Sequence, residues 1–239
     1  MRNGRRGSGA RSGLAFVLVG ALLAALVVGG DRLAVALVEN QVSRRLQTDL
    51  GTPTRPSVDI EGFPFLTQLL RLTLRSVHVV ATDVTPTGAD TTPLKQVDLR
   101  MLGVTTQDRF QTFTAGQVDG TATLDYPTAQ RLIGLPVAYA PDGRIEVSIQ
   151  TRIVSVPVTA TIIGVPEVDV DDQTLTVSDP EITVAGVEVP ERTSQALLET
   201  LLKPVPISGV PFGLKLGDIT PTPDGLVAVV TGENVTFSQ

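Results

Sequence analysis

The chain has no cysteine and no tryptophan, a single histidine, and only seven Phe and two Tyr in 239 residues. Without cysteine there is no disulfide framework and no thiol chemistry, so stability has to come from burial of apolar surface. The roughly 200 residues beyond the N-terminal segment are enough for a sizeable core. Scarcity of aromatic rings argues against a carbohydrate cleft, which stacks sugars on ring faces. Catalytic motifs are missing too. No Gly-x-Ser-x-Gly elbow, His-Glu-x-x-His, P-loop or Gly-x-Gly-x-x-Gly occurs, which leaves serine hydrolysis, zinc hydrolysis and nucleotide binding without sequence support. His78 falls on a predicted strand at the parity of Leu74, Val80 and Val84, and it reads as a packed or edge histidine. No catalytic residue and no cofactor is assigned.

Acidic residues are absent from the first eleven positions, which carry Arg2, Arg5, Arg6 and Arg11. Removing these four from the 19 Lys+Arg leaves 15 against 25 Asp+Glu, a balance of about −10 for the rest of the chain. Such an acidic body is a poor nucleic-acid binder, because phosphate contacts need clustered Lys and Arg. After the arginines comes an uncharged apolar run, Leu14 to Gly30. A basic stretch followed by an apolar one is the layout of an export signal or a membrane anchor. Ala34-Val35-Ala36 offers a cleavage site, and the 17-residue run also suits an uncleaved anchor. Residues 1–38 are thus expected to be a signal peptide or anchor. Residues 39–239 are expected to form a single extracytoplasmic domain, with the arginines held on the inner side.

Along that domain the pattern is helical over Asp31–Leu50, with Val38, Val42, Leu46 and Leu50 every fourth residue, and it ends at Gly51 and Pro53. A short strand is expected over Ser57–Ile60, then a short helix with Pro64 in its first turn, then, after Arg71, a strand through Val84. Later segments alternate with period two: Val118/Gly120/Ala122/Leu124, Ile145/Val147/Ile149, and Val154 to Ile162. Asp142-Gly143 and Asp224-Gly225 suit tight turns. Helices are expected at Tyr126–Ile133 and Glu191–Leu202. The fold class is α+β, a long curved antiparallel sheet packed on amphipathic helices. A faint echo relates Ile60–Phe65 to Ile207–Phe212, each a Gly-x-Pro-Phe turn leading into β-structure.

The acidic tract Glu167–Asp172 is the best metal candidate, yet one strand supplies few of the six to eight oxygens that calcium takes. It reads as a solvated hairpin face, and no metal site is assigned. Apolar surface beside turns stands out more. Phe63, Phe65, Leu66, Leu69 and Leu70 gather around a proline turn, Leu197 and Leu201 lie on one side of the second helix, and Phe212 follows the second proline turn. A sheet packed on a helix can leave a groove for acyl chains, each buried methylene contributing roughly 0.8 kcal/mol. These eight residues are the expected lipid contacts. A Phe-Pro-Phe turn touching a bilayer is a variant of the same reading. Arg71 and Arg75 follow the turn and are the expected partners of an anionic head group. Replacing Phe65 or Leu69 by Asp is expected to remove lipid binding and leave the domain folded.

Several features together carry a resemblance. They are the Asp31-Arg32 boundary after the apolar run, the amphipathic Glu39–Leu50 helix, the segment Pro56-Ser57-Val58-Asp59-Ile60-Glu61-Gly62-Phe63-Pro64-Phe65-Leu66-Thr67-Gln68-Leu69, and the closing Leu214-Lys215-Leu216…Asp224-Gly225-Leu226 pattern. With these the chain resembles the LmeA-like family of actinobacterial cell-envelope proteins over nearly its whole length. The resemblance implies an exported phospholipid-binding protein that supports elongation of mannan-bearing lipoglycans, with a fold similar to tubular (TULIP-like) lipid-binding domains. The leading expectation is therefore a non-enzymatic phospholipid binder or carrier at the cytoplasmic membrane. A scaffold for membrane glycosyltransferases with no lipid of its own is the alternative, and a hydrolase built on His78 is the weakest reading.

Overall fold

The computed structural model describes residues 9–85, 92–107, 112–153, 156–190, 204–207 and 213–238. Helix α1 runs without a break over Gly9–Asp49, so the apolar run and the expected amphipathic helix are one element. It is followed by β1 (Ser57–Glu61), α2 (Phe65–Leu70), β2 (Thr73–Val84), β3 (Leu94–Gln107), β4 (Thr112–Leu124) and α3 (Tyr126–Ile133). Then come β5 (Val137–Ala140), β6 (Arg144–Ile153), β7 (Val156–Asp169), β8 (Thr174–Val184), β9 (Val187–Glu188), β10 (Val205–Pro206), β11 (Lys215–Thr222) and β12 (Gly225–Ser238). The expected helix over Glu191–Leu202 and most of the second proline turn lie outside the described residues.

The chain is α+β, and its strands form two antiparallel sheets. The first has the order β1-β2-β3-β4-β12-β11; the second has the order β10-β8-β7-β6-β5, with β9 on β8. Strands β4 and β12 are long enough to serve two cores. One core lies between α1, α2 and the first sheet, and collects Val35, Val58, Ile60, Phe65, Val77, Val79, Val104, Ala115, Val118 and Val235. In the other, Ala129 of α3 meets Val137, Ile145, Val147 and Val177 of the second sheet and Ile219 and Leu226 of the first. Ile162 and Ile182 are register partners in the second sheet and are wholly buried. The expected Asp142-Gly143 turn is in place, both residues taking positive φ between β5 and β6, whereas the second turn falls one residue earlier than expected, on Pro223-Asp224, with Gly225 already paired to Thr222 at the start of β12. The acidic tract ends β7 and turns into β8, where the Asp169 carboxylate accepts the backbone N–H groups of Asp171 and Asp172 at 3.0 Å each.

Strict alternation fails along one line of the first sheet. Arg75, Gly103, Gly116 and Asn234 have no register partners, and they sit at one level across β2, β3, β4 and β12. Gly103 and Asn234 take φ of +60° and +51°, conformations that glycine and asparagine tolerate best. Crossing this line changes parity in every strand. Leu74 and Val77, Met101 and Val104, Ala115 and Val118, and Val230 and Val235 therefore all face inward although each pair is an odd number of residues apart. His78 accordingly lies opposite Leu74, on the outer face, where its Nε2 is 2.7 Å from the Asp98 carboxylate. The parity expected for it is corrected by the switch at Arg75.

Helix α3 shows how local chemistry closes an element. Asp125 stands at its N-cap with its carboxylate accepting the Thr128 N–H at 2.8 Å, and Gly134 ends it in the left-handed region. Hydrogen bonding to Thr128 holds the Asp125 carboxyl below its usual range, against the opposing effect of burial. A lowered folded pKa means that this stability is present above the unfolded carboxylate pKa and fades as pH falls through the folded value. Asp125→Ala is expected to lower unfolding stability by about 1 kcal/mol near neutral pH. Urea titrations should show that deficit shrinking as the medium is acidified.

Candidate functional site

The expected contact residues of the Phe-Pro-Phe segment lie where α1 enters the folded body. From Asp31 onward α1 presents one face to the first sheet. Val35 is buried there, with Ala34, Val38, Val42 and Leu46 packed beside it. Polar side chains on the same side bind backbone groups of the following segment. Glu39 accepts the Ile60 N–H at 2.8 Å, Ser43 donates to the Pro56 carbonyl at 2.5 Å, and Gln47 donates to the Pro53 carbonyl at 3.3 Å. Asp31 begins the series. Its carboxylate is 1% exposed and accepts the N–H groups of Phe65 at 3.0 Å and Leu66 at 2.8 Å.

Those two N–H groups are the first of α2, which have no partner within the helix. Pro64 precedes the helix as its N-cap, one place earlier than expected, and has no capping side chain. Asp31 supplies the missing acceptor from another helix. Gln68 ties down the other side of α2. It is buried, donates to the Glu61 carbonyl at 3.5 Å and accepts the Arg75 N–H at 2.9 Å, so it joins the end of β1 to the start of β2. Gly62 permits this approach. Its φ is +107°, and a Cβ there would lie 2.8 Å from Gln68 Nε2.

Held in this way, α2 has two faces. Phe65 is 1% exposed and fills the core, with Leu69 packed beside it. Phe63, Leu66 and Leu70 are 44%, 42% and 87% exposed, and Leu72 follows them on the surface. Arg32 lies over the Phe63 ring at 5.5 Å from its centroid, and Arg71 and Arg75 are exposed just beyond the helix. The structure thus brings together Phe63, Phe65, Leu66, Leu69, Leu70, Arg71 and Arg75. Leu197, Leu201 and Phe212 lie outside the described residues. The space between α1 and the first sheet, where the sequence suggested a groove, holds the side chains of α1 itself.

Sequence reasoning overlooked Asp31, Glu39 and Gln68 as the groups that position the site. A signal for the first two was present, since Asp31, Val35, Glu39, Ser43 and Gln47 recur every fourth residue beside the apolar stripe. Their partners, backbone groups at Pro53, Pro56, Ile60 and Phe65, carry no such signal. The expectation for Phe65→Asp is also overturned, because a carboxylate there would be buried in a closed core without a partner. Leu66 and Leu70 are the positions where a charge tests the surface without disturbing packing. Asp31→Ala is expected to speed hydrogen exchange at the Phe65 and Leu66 amides and leave protection of β2, β3 and β4 unchanged. Equal loss of protection across those strands would show a global effect instead.

No curated protein and no solved structure matches the chain. A family model does, covering residues 29–231, and its first matched residues directly precede Asp31. That coverage takes in the C-terminal half of α1, the α2 turn, both sheets and the closing hairpin. The chain belongs to the LmeA-like phospholipid-binding family.

Proposed function

We propose that this family member is a non-enzymatic phospholipid binder or carrier at the outer face of the cytoplasmic membrane, supporting elongation of mannan-bearing lipoglycans. The observation that carries the reading is the two-faced α2. An exposed apolar face, Phe63, Leu66 and Leu70, is followed by the exposed Arg71 and Arg75 and backed by the buried Phe65 and the partly buried Leu69. Phospholipid presents the matching pair of chemistries, acyl chains for the leucines and an anionic head group for the guanidinium groups. Phe65 and Leu69 act from beneath by holding the helix in position. Leu197, Leu201 and Phe212, which lie outside the described residues, are proposed as further lipid contacts. Residues 1–38 set location, with Asp31 and Val35 near their end fastened into the body, and residues 39–239 supply the rest of the lipid-binding part.

A second reading, a scaffold for membrane glycosyltransferases, draws on the outer face of the first sheet. Asp59, His78, Arg100 and Asp119 are in register across β1 to β4. Glu61 pairs with Arg100 at 2.7 Å, beside the His78–Asp98 contact. Since these charges largely satisfy one another, the face favours a solvated surface over a partner site.

The deciding experiment is native mass spectrometry of the full chain released from membranes in detergent, followed by solvent extraction and lipid identification. Co-purified phospholipid near unit stoichiometry is expected. A lipid-free chain recovered with a glycosyltransferase would favour the scaffold. Leu66→Asp and Leu70→Asp should sharply reduce bound lipid while changing stability by no more than about 0.5 kcal/mol, as is usual for surface positions. Phe65→Ala should instead cost about 3–5 kcal/mol in unfolding stability, because it empties a filled core site.

A further inference from the structure

Helix α1 is a continuous rod of 41 residues, about 60 Å long at 1.5 Å per residue. Among the described residues it is the one helix long and apolar enough to cross a membrane, and only 11% of its most apolar stretch is buried. Leu22, Leu23, Leu26, Val27 and Val28 are all exposed. The uncharged run Leu14–Gly30 is about 25 Å long, against a hydrocarbon core of about 30 Å. Some 5 Å, roughly three helical residues, remains to be covered. Shared with Ser12 and Gly13 at the other end, that gap puts the boundary on this side at Asp31 and Arg32. Asp31 is the residue from which α2 hangs.

From this we infer that α2 and the exit turn of α1 form a bilayer-docking surface, with Asp31 setting its depth. The occupant is the boundary between head groups and acyl chains in the membrane that α1 crosses. Three observations fit that occupant. Phe63, Leu66, Leu70 and Leu72 are exposed apolar side chains in a segment that Asp31 fastens to α1 just beyond its apolar run. Leu33 and Leu37 of α1 are exposed beyond the apolar run, where a helix leaving a bilayer for water would carry polar groups. Arg32 lies over the Phe63 ring, and Arg71 and Arg75 are exposed just after α2; cations at this depth meet lipid phosphates while their stems remain in the apolar layer. Asp31 itself reaches this level at no desolvation penalty beyond one already met, because it is buried and holds two N–H donors.

The same geometry bears on processing. Cleavage after Ala36 would remove Asp31, the acceptor for α2, and Val35, a core side chain. Docking in this form therefore requires α1 to be retained.

The inference rests on the membrane location in the proposed function. Because the chain has no native cysteine, single-cysteine variants report one site each. Full chain carrying Leu23→Cys, Leu66→Cys, Leu70→Cys or Val187→Cys is labelled with an environment-sensitive fluorophore and reconstituted in vesicles of phosphatidylcholine and phosphatidylglycerol. Val187, 69% exposed on β9, is the reference for water. Labels at 23, 66 and 70 are expected to shift to the blue and to be quenched by nitroxide-bearing lipid, with no change at 187. Water-like emission at 66 and 70 while 23 is in lipid would overturn the docking surface together with the acyl-chain role of Leu66 and Leu70, whereas phospholipid still found at unit stoichiometry by mass spectrometry would keep the carrier reading with its lipid elsewhere on the body. Water-like emission at 23 as well would overturn docking together with the anchor. A lipid-free chain in the mass-spectrometry experiment, with 66 and 70 still in lipid, would remove the carrier reading and leave docking intact.

Discussion

Everything at the candidate site depends on how α1 is fastened to the sheet that follows it. A helix with an apolar stripe would pack on the first sheet by burial alone, yet burial is non-directional and leaves depth and rotation loosely set. Directional bonds from Asp31, Glu39, Ser43 and Gln47 to backbone groups define both. Because their acceptors and donors are main-chain atoms of the next segment, they also set the path from Pro53 to Leu66. Asp31 matters most of these, since two otherwise unpartnered N–H groups converge on one carboxylate.

This fastening gives α2 its properties. Six residues are too few to form a stable helix in water on their own. Here the helix persists because Phe65 is driven into the core, Gln68 bridges β1 and β2, and Asp31 closes its first turn. With the inner face anchored so firmly, the outer face can carry Phe63, Leu66 and Leu70 in the open. An exposed apolar cluster in that position is at odds with solubility and in accord with membership of a phospholipid-binding family.

Much of the fold was legible in advance. The short strand at Ser57, the α3 limits, the Asp142-Gly143 turn and the hairpin strands β6 and β7 follow from patterns within a dozen residues, and local patterns survive tertiary packing. Two features did not follow. The strands divide between two sheets, which depends on pairing between β4 and β12, about a hundred residues apart. The parity switch through Arg75, Gly103, Gly116 and Asn234 placed His78 on the face opposite the one its alternation suggested. A bulge in one strand leaves a weak mark in sequence, and its alignment across four strands leaves none.

Legible without any structure were the apolar N-terminal run, the absence of a familiar catalytic constellation, the β-rich character and the Gly-Phe-Pro-Phe-Leu-Thr-Gln segment on which the family resemblance rests. Those are properties of composition and local order. Tertiary structure alone decided which of the clustered apolar residues face inward and which face out, since Phe63, Phe65, Leu66, Leu69 and Leu70 are equivalent in hydropathy. It also decided that a carboxylate 34 positions before Phe65 would cap its helix. The physical reason is the same for both. An unpaired backbone donor and an exposed side chain are defined by what lies across space from them, and that neighbour is set by the packing of distant segments.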